Sequence, residues 1–175
     1  MDHVHTITFP PPESKPPVQE APKKSRVVTQ TSSWTRWIRD GSWNLEDAQL
    51  QWHWVQYPHE CPVLEPNIKQ KIRGYRSQDM ENGLYEPSLF VDYNYVMELL
   101  EHCRLQCFYC HIPTMVIYEH VRDPRQWTLE RTDNAVGHNY GNVEIACLKC
   151  NLRRRTMHQE RYILTKKMVV VNKLT

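Results

Sequence analysis

Two Cys-x-x-Cys pairs, Cys107 with Cys110 and Cys147 with Cys150, stand thirty-six residues apart and constrain this chain more than anything else in it. Two residues between thiolates let one tight turn aim both sulfurs at a single ion while backbone N–H groups steady their charge. Two such knuckles complete a tetrahedral zinc set. The competing reading, disulfides or small buried apolar groups among the six cysteines, suits a secreted chain. Proline, however, stands in the first thirty residues where a signal peptide has its apolar stretch. The expectation is a reducing intracellular setting and one structural Zn2+ on Cys107, Cys110, Cys147 and Cys150. His111 and His158 are alternative ligands beside the knuckles, and Cys61 and Cys103 read as buried thiols.

The net charge of +2 conceals an asymmetry: residues 147–175 hold eight Lys or Arg against the single acid Glu160, so that end carries +7 and the remainder −5. A concentrated basic end is suited to phosphates, which makes nucleic acid the expected partner, DNA ahead of RNA. No apolar run approaches a membrane span, and no membrane partner is expected.

Three regions follow from composition. Residues 1–33 hold six of the twelve prolines and almost no large apolar side chain after Phe9, which predicts a disordered Pro-rich tail. Residues 34–102 are predicted to be mainly helical and contain five of the six tryptophans between Trp34 and Trp54. Trp34, Trp37 and Ile38 have helical spacing, and Ser42 or Asn44 is placed to cap a helix carrying Leu45, Ala48, Gln49 and Trp52. Indoles at that spacing are core or a protein-docking surface before they are base-stacking platforms. Pro66 to Tyr75 reads as a short basic helix followed by a polar stretch, Ser77 to Gly83. Asp92 reads as the cap of a further helix that leads into the first knuckle.

Residues 103–175 form the third region, a zinc module with a basic C-terminal segment. Met115–Tyr118, Trp127–Arg131 and Asn142–Ala146 read as strands, with Asp133, Asn134 and Gly137 supplying turn chemistry. A helix is expected from Cys150 or Asn151, so the fold class is α+β, with a small zinc-bound ββα unit after a helical segment. A core this small is marginal alone, which makes metal binding part of its folding energy.

The stretch WTLERTDNAVGHNYGNVEIACLKCN, Trp127 to Asn151, resembles the HNH endonuclease group of treble-clef zinc folds. That resemblance implies Glu130 as a metal-binding acid, Asn142 as the orienting Asn and Asn151 as a helix ligand. The general-base position holds Arg131, whose guanidinium does not accept a proton near neutrality. His138 is the remaining base if its loop folds inward; as a structural turn histidine it instead hydrogen-bonds across the hairpin. The wider layout resembles the poxvirus late transcription factor 2 (trans-activator) group and its FCS-type zinc-finger homologue in African swine fever virus. Phe108 and Tyr109 fill the first knuckle, and the FCS tripeptide itself does not occur. This second resemblance implies a viral late-gene transcription factor working at a replication site in the host cytoplasm.

Two main functions therefore compete. In the first, zinc builds a rigid hairpin and helix, and Lys149, Arg153, Arg154, Arg155, Arg161, Lys166 and Lys167 neutralise phosphates without catalysis. In the second, Glu130, His138, Asn142 and Asn151 form a metal-dependent nuclease. A third reading makes the Trp-rich segment an adaptor for transcription machinery or host proteins.

Overall fold

A computed structural model describes residues 37, 41 and 43–171; the expected tail over 1–33, and Trp34, Ile38, Ser42 and Lys173, lie outside them. Helix α1, Ala48–Gln56, is capped by Asp47, whose carboxylate accepts from the Gln49 and Leu50 amides at 2.8 and 3.4 Å. Asn44 instead turns onto the Glu46 amide (3.1 Å), so the cap is Asp47 rather than the expected Ser42 or Asn44. A 3-10 turn, Pro58–Glu60, leads to α2, Leu64–Glu81.

Helix α2 is nearly twice as long as the predicted Pro66–Tyr75 helix, at eighteen residues. It starts ahead of Pro66, whose missing N–H falls in the first turn where no intrahelical acceptor exists. It also runs through most of the polar stretch read as its end, and stops where Gly83 turns left-handed at φ +68°. There Gly83 N donates to Met80 O (3.2 Å) and Leu84 N to Asp79 O (2.8 Å), closing the last carbonyls as a glycine C-cap does. Helix α3, Tyr93–His102, has the expected cap: the Asp92 carboxylate accepts from Tyr95 N at 2.8 Å.

Strands β1, Trp127–Arg131, and β2, Val143–Cys147, pair antiparallel with Leu129 opposite Ile145 and Trp127 opposite Cys147. Helices α4, Leu148–Arg154, and α5, Gln159–Val171, follow, with α4 starting two residues before the expected Cys150. The architecture is thus α+β, five α-helices and a two-stranded sheet among the described residues.

Met115–Tyr118 does not form the predicted strand; it makes one bridge, Met115 to Gln126. A side chain takes the place of a neighbouring strand. The buried amide of Gln51 accepts from Val116 N and Ile117 N, both at 3.0 Å, and donates to Ile117 O at 2.8 Å and Leu45 O at 2.9 Å. Buried backbone groups require partners, and here one carboxamide supplies three of them.

The main core spans both sides of residue 102, uniting Trp54, Leu64, Ile68, Val96 and Leu100 with Ile117, Trp127, Leu129 and Ile145. The Trp-rich segment contributes to it directly: the Trp54 ring lies 5.3 Å from Trp37 and 5.8 Å from Trp43. Lys71 crosses from α2 to β1, donating to the Trp127 carbonyl beneath the Trp127 and Tyr118 rings. Burial pushes its amine down to about 7. A second, smaller cluster gathers the knuckle cysteines with Tyr109, Ala146 and Tyr162. No helix among the described residues is long and apolar enough to cross a membrane.

Candidate metal centre and its surroundings

After α3 the chain reverses through two left-handed residues, Arg104 (φ 50°) and Leu105 (φ 57°), and enters the first knuckle. Thr114 pins the loop, its amide and hydroxyl both donating to Leu105 O at 2.6 and 2.7 Å. His111 takes a left-handed conformation (φ 56°) that turns the chain behind Cys110, and its amide donates to Cys107 O at 2.8 Å. Phe108 N donates to Ile145 O (2.8 Å), which fastens this knuckle to β2. The second knuckle needs no separate loop, because Cys147 ends β2 and Cys150 lies in the first turn of α4. Leu148 N to Gln126 O and Lys149 N to Pro124 O, both 3.0 Å, hold that junction.

These constraints bring the sulfurs of Cys107, Cys110, Cys147 and Cys150 within 4.8 Å of one another, a group that could hold a metal ion. Cys107, Cys147 and Cys150 are buried, and Cys110 is half-buried. The Cys110 and Cys147 amides address the Cys107 sulfur, Ile112 N–H addresses Cys110, and Cys150 N–H addresses Cys147. Hydrogen bonding from Cys147 and Cys150 holds Cys107 well below the ordinary thiol range, and the same contact raises Cys147. Burial pushes Cys110 up to about 11. One negative charge is thus favoured on the protein alone; several thiolates side by side call for a cation.

The remaining thiols are elsewhere. Cys103 donates to Leu100 O (3.5 Å) and Cys61 is buried, and burial raises them to about 11 and about 12. All six cysteines are free, and His111 and His158 are exposed side chains that do not belong to the group.

The residues implied by the HNH resemblance are already engaged elsewhere in the fold. Glu130 is buried against Arg154, also buried, in an ion pair between β1 and α4. Arg154 donates further to the carbonyls of Arg131 (2.7 Å) and Thr132 (2.9 Å). Its guanidinium is a strut inside the fold, which removes it from the expected phosphate-binding set. The other members, Lys149, Arg153, Arg155, Arg161 and Lys167, are exposed; Lys166 is half-exposed over the Tyr162 ring at 5.3 Å.

Asn142 staples the hairpin loop: its oxygen accepts from Asp133 N (2.9 Å), and its amide donates to Asp133 O, Val136 O and Gly137 O at 3.1, 3.2 and 2.9 Å. Asn151 donates to Thr128 Oγ1 at 3.2 Å. His138 is folded inward onto a residue that sequence reasoning did not single out. Asp79 of α2 meets its Nδ1 at 2.8 Å and accepts from its amide at 2.6 Å. The Tyr75 ring packs on the imidazole at 4.5 Å, and Tyr75 OH accepts from Leu129 N at 3.0 Å. Burial lowers the His138 pKa, and Asp79 opposes that. Gly137 makes the approach possible, since a Cβ there would lie 2.4 Å from Leu84 O and 2.8 Å from Asp79 Oδ2.

No family model, curated protein or solved structure matches the chain. The class defined by fold and site together is therefore an α+β chain with a four-cysteine, metal-competent cluster at a hairpin–helix junction.

Proposed function

We propose that the chain is a zinc-stabilised nucleic-acid-binding protein without nuclease activity. The four-cysteine cluster beside exposed basic residues carries this reading. A tetrahedral zinc with bonds of about 2.3 Å has sulfur–sulfur edges of about 3.8 Å. Cys110 and Cys147 are 3.9 Å apart. Four sulfurs close the coordination sphere, and such a zinc supplies rigidity rather than an activated water. The order knuckle, hairpin, knuckle, helix supports a treble-clef reading of this module.

Lys149 and Arg153 lie one helical turn apart on α4, and Arg155 and Arg161 follow, so cationic side chains extend from the metal junction. Phosphate neutralisation by such residues gives affinity without base specificity. Lack of cleavage follows from Arg131 at the base position and from Glu130, whose charge is committed to Arg154. A late-transcription role at a viral replication site rests on the poxvirus-group resemblance. The nuclease alternative retains one favourable observation: with Nδ1 committed to Asp79, His138 Nε2 has no hydrogen-bond partner among the described residues.

The test is titration of zinc-loaded protein against duplex DNA, single-stranded DNA and RNA at two salt concentrations, with magnesium or manganese added to look for nicking. Affinity should fall steeply with salt in every arm and strands should stay intact. Nicking that disappears in His138→Ala establishes the alternative.

A further inference from the structure

Between α2, β1 and α4 lies a cavity of about 230 Å³ into which the β1–β2 loop also reaches. Its wall includes Arg131, Arg155, His138 and Asn151. We propose that this pocket seats the phosphomonoester of a nucleotide, as found at a strand end, a proposal that rests on the nucleic-acid reading and specifies its ligand.

Arg155 carries the first argument. It follows α4 with φ 52° and ψ −122°, a backbone region populated almost only by glycine, yet it bears the largest cationic side chain and lines the pocket. Glycine would relieve the strain, and what it would remove is the guanidinium. Arg131, on β1, also lines the cavity, and its guanidinium donates to Val136 O of the loop at 3.4 Å. Two arginine forks from separate elements match a group with two or more free oxygens.

Charge supplies the second argument. Glu130 also lines the cavity, but its carboxylate is paired with Arg154. Asp79 lies behind the imidazole and is hydrogen-bonded to it, and Tyr75 is a phenol raised to about 12 by burial. Among the described residues, the charged lining groups without an ion-pair partner are Arg131 and Arg155. A phosphomonoester carries about −1.5 to −2, against one charge on an internal diester.

A proton also favours the monoester. With Nδ1–H donated to Asp79, neutral His138 offers Nε2 as an acceptor. A monoester with its second ionisation at about 6 can bring a P–OH to that nitrogen, and the resulting bond holds whichever partner keeps the proton. An internal diester has no such proton.

The experiment measures affinity of the zinc-loaded full chain for one short single strand bearing a 5′-phosphate, a 3′-phosphate or only hydroxyl ends. Deoxyadenosine monophosphate and inorganic phosphate serve as competitors. A phosphorylated end should bind about tenfold or more tighter than the hydroxyl strand. Arg155→Gly should abolish that preference while the melting temperature holds or rises, and Arg131→Gln should reduce it with zinc content unchanged. Competition by deoxyadenosine monophosphate as strong as the phosphorylated strand assigns a free mononucleotide as ligand, weaker competition assigns the strand end, and both uphold the pocket. Equal affinity for all three strands without competition overturns it, as does an undiminished preference in Arg155→Gly. Strand binding without end preference leaves the general nucleic-acid reading intact, whereas mononucleotide binding without salt-dependent strand binding sinks that reading and keeps the pocket.

Discussion

Arg154 and Glu130 form a buried ion pair between the helix that carries Cys150 and the first strand of the hairpin. Removing one partner strands a charge in the interior. Arg154→Met should therefore cost about 3–5 kcal/mol, and the double variant Glu130→Met with Arg154→Met should recover much of it. Denaturant titration of the three variants measures this. Arg153→Ala, one residue away and exposed, should move stability by no more than about 0.5 kcal/mol and instead weaken nucleic-acid binding.

Metal content separates the cysteines. Elemental analysis should find one zinc per chain, lost in Cys147→Ser and kept in Cys103→Ser, because Cys103 lies outside the sulfur group. Chelation should release amide protection first in the knuckles and α4, where the smaller cluster surrounds the sulfurs, while the larger core around Trp54 and Leu64 opens later.

Lys71 sets an alkaline trend. Its folded pKa, down to about 7, lies below the unfolded value of about 10.4, so the unfolded chain binds more protons between those limits. Stability from this group therefore rises with pH from about 7 towards 10, by at most about 1.4 kcal/mol per unit. Urea midpoints at pH 7 and pH 9 should differ for the wild type. In Lys71→Met that increment should disappear.

Gly137→Ala tests the Asp79–His138 contact sterically. The added methyl would collide with the Leu84 carbonyl, a backbone atom that cannot swing aside, so a loss of about 1–3 kcal/mol is expected. The histidine ring resonances should shift with it. An unchanged spectrum and melting temperature would remove Gly137 as the reason the loop can close.

The metal cluster was readable because its signal is local: four sulfurs at fixed spacing, with the strand Trp127–Arg131 beside them. Asp92 announced its helix in the same way. Asp79 gave no comparable signal, since its partner lies 59 residues on and its helix was expected to stop at Tyr75. Tertiary anchoring of that last turn outweighed its polar composition. Arg154 was recoverable in principle, because it is four residues after Cys150 and shares the inward face of α4, but three adjacent arginines read as one basic run. Gln51 escaped notice for a different reason. A glutamine in a tryptophan-rich helix has no pattern that marks it as a surrogate for a neighbouring strand.

That carboxamide also decides what this part of the chain would expose if it opened. The segment Met115–Tyr118 is apolar and buried, the composition from which intermolecular sheets start, and Gln51 occupies the amides of Val116 and Ile117 that a foreign strand would seek. One side chain on α1 therefore acts as a guard against self-association. A chain in which α1 has come away from Met115–Tyr118 would present a ready template for aggregation.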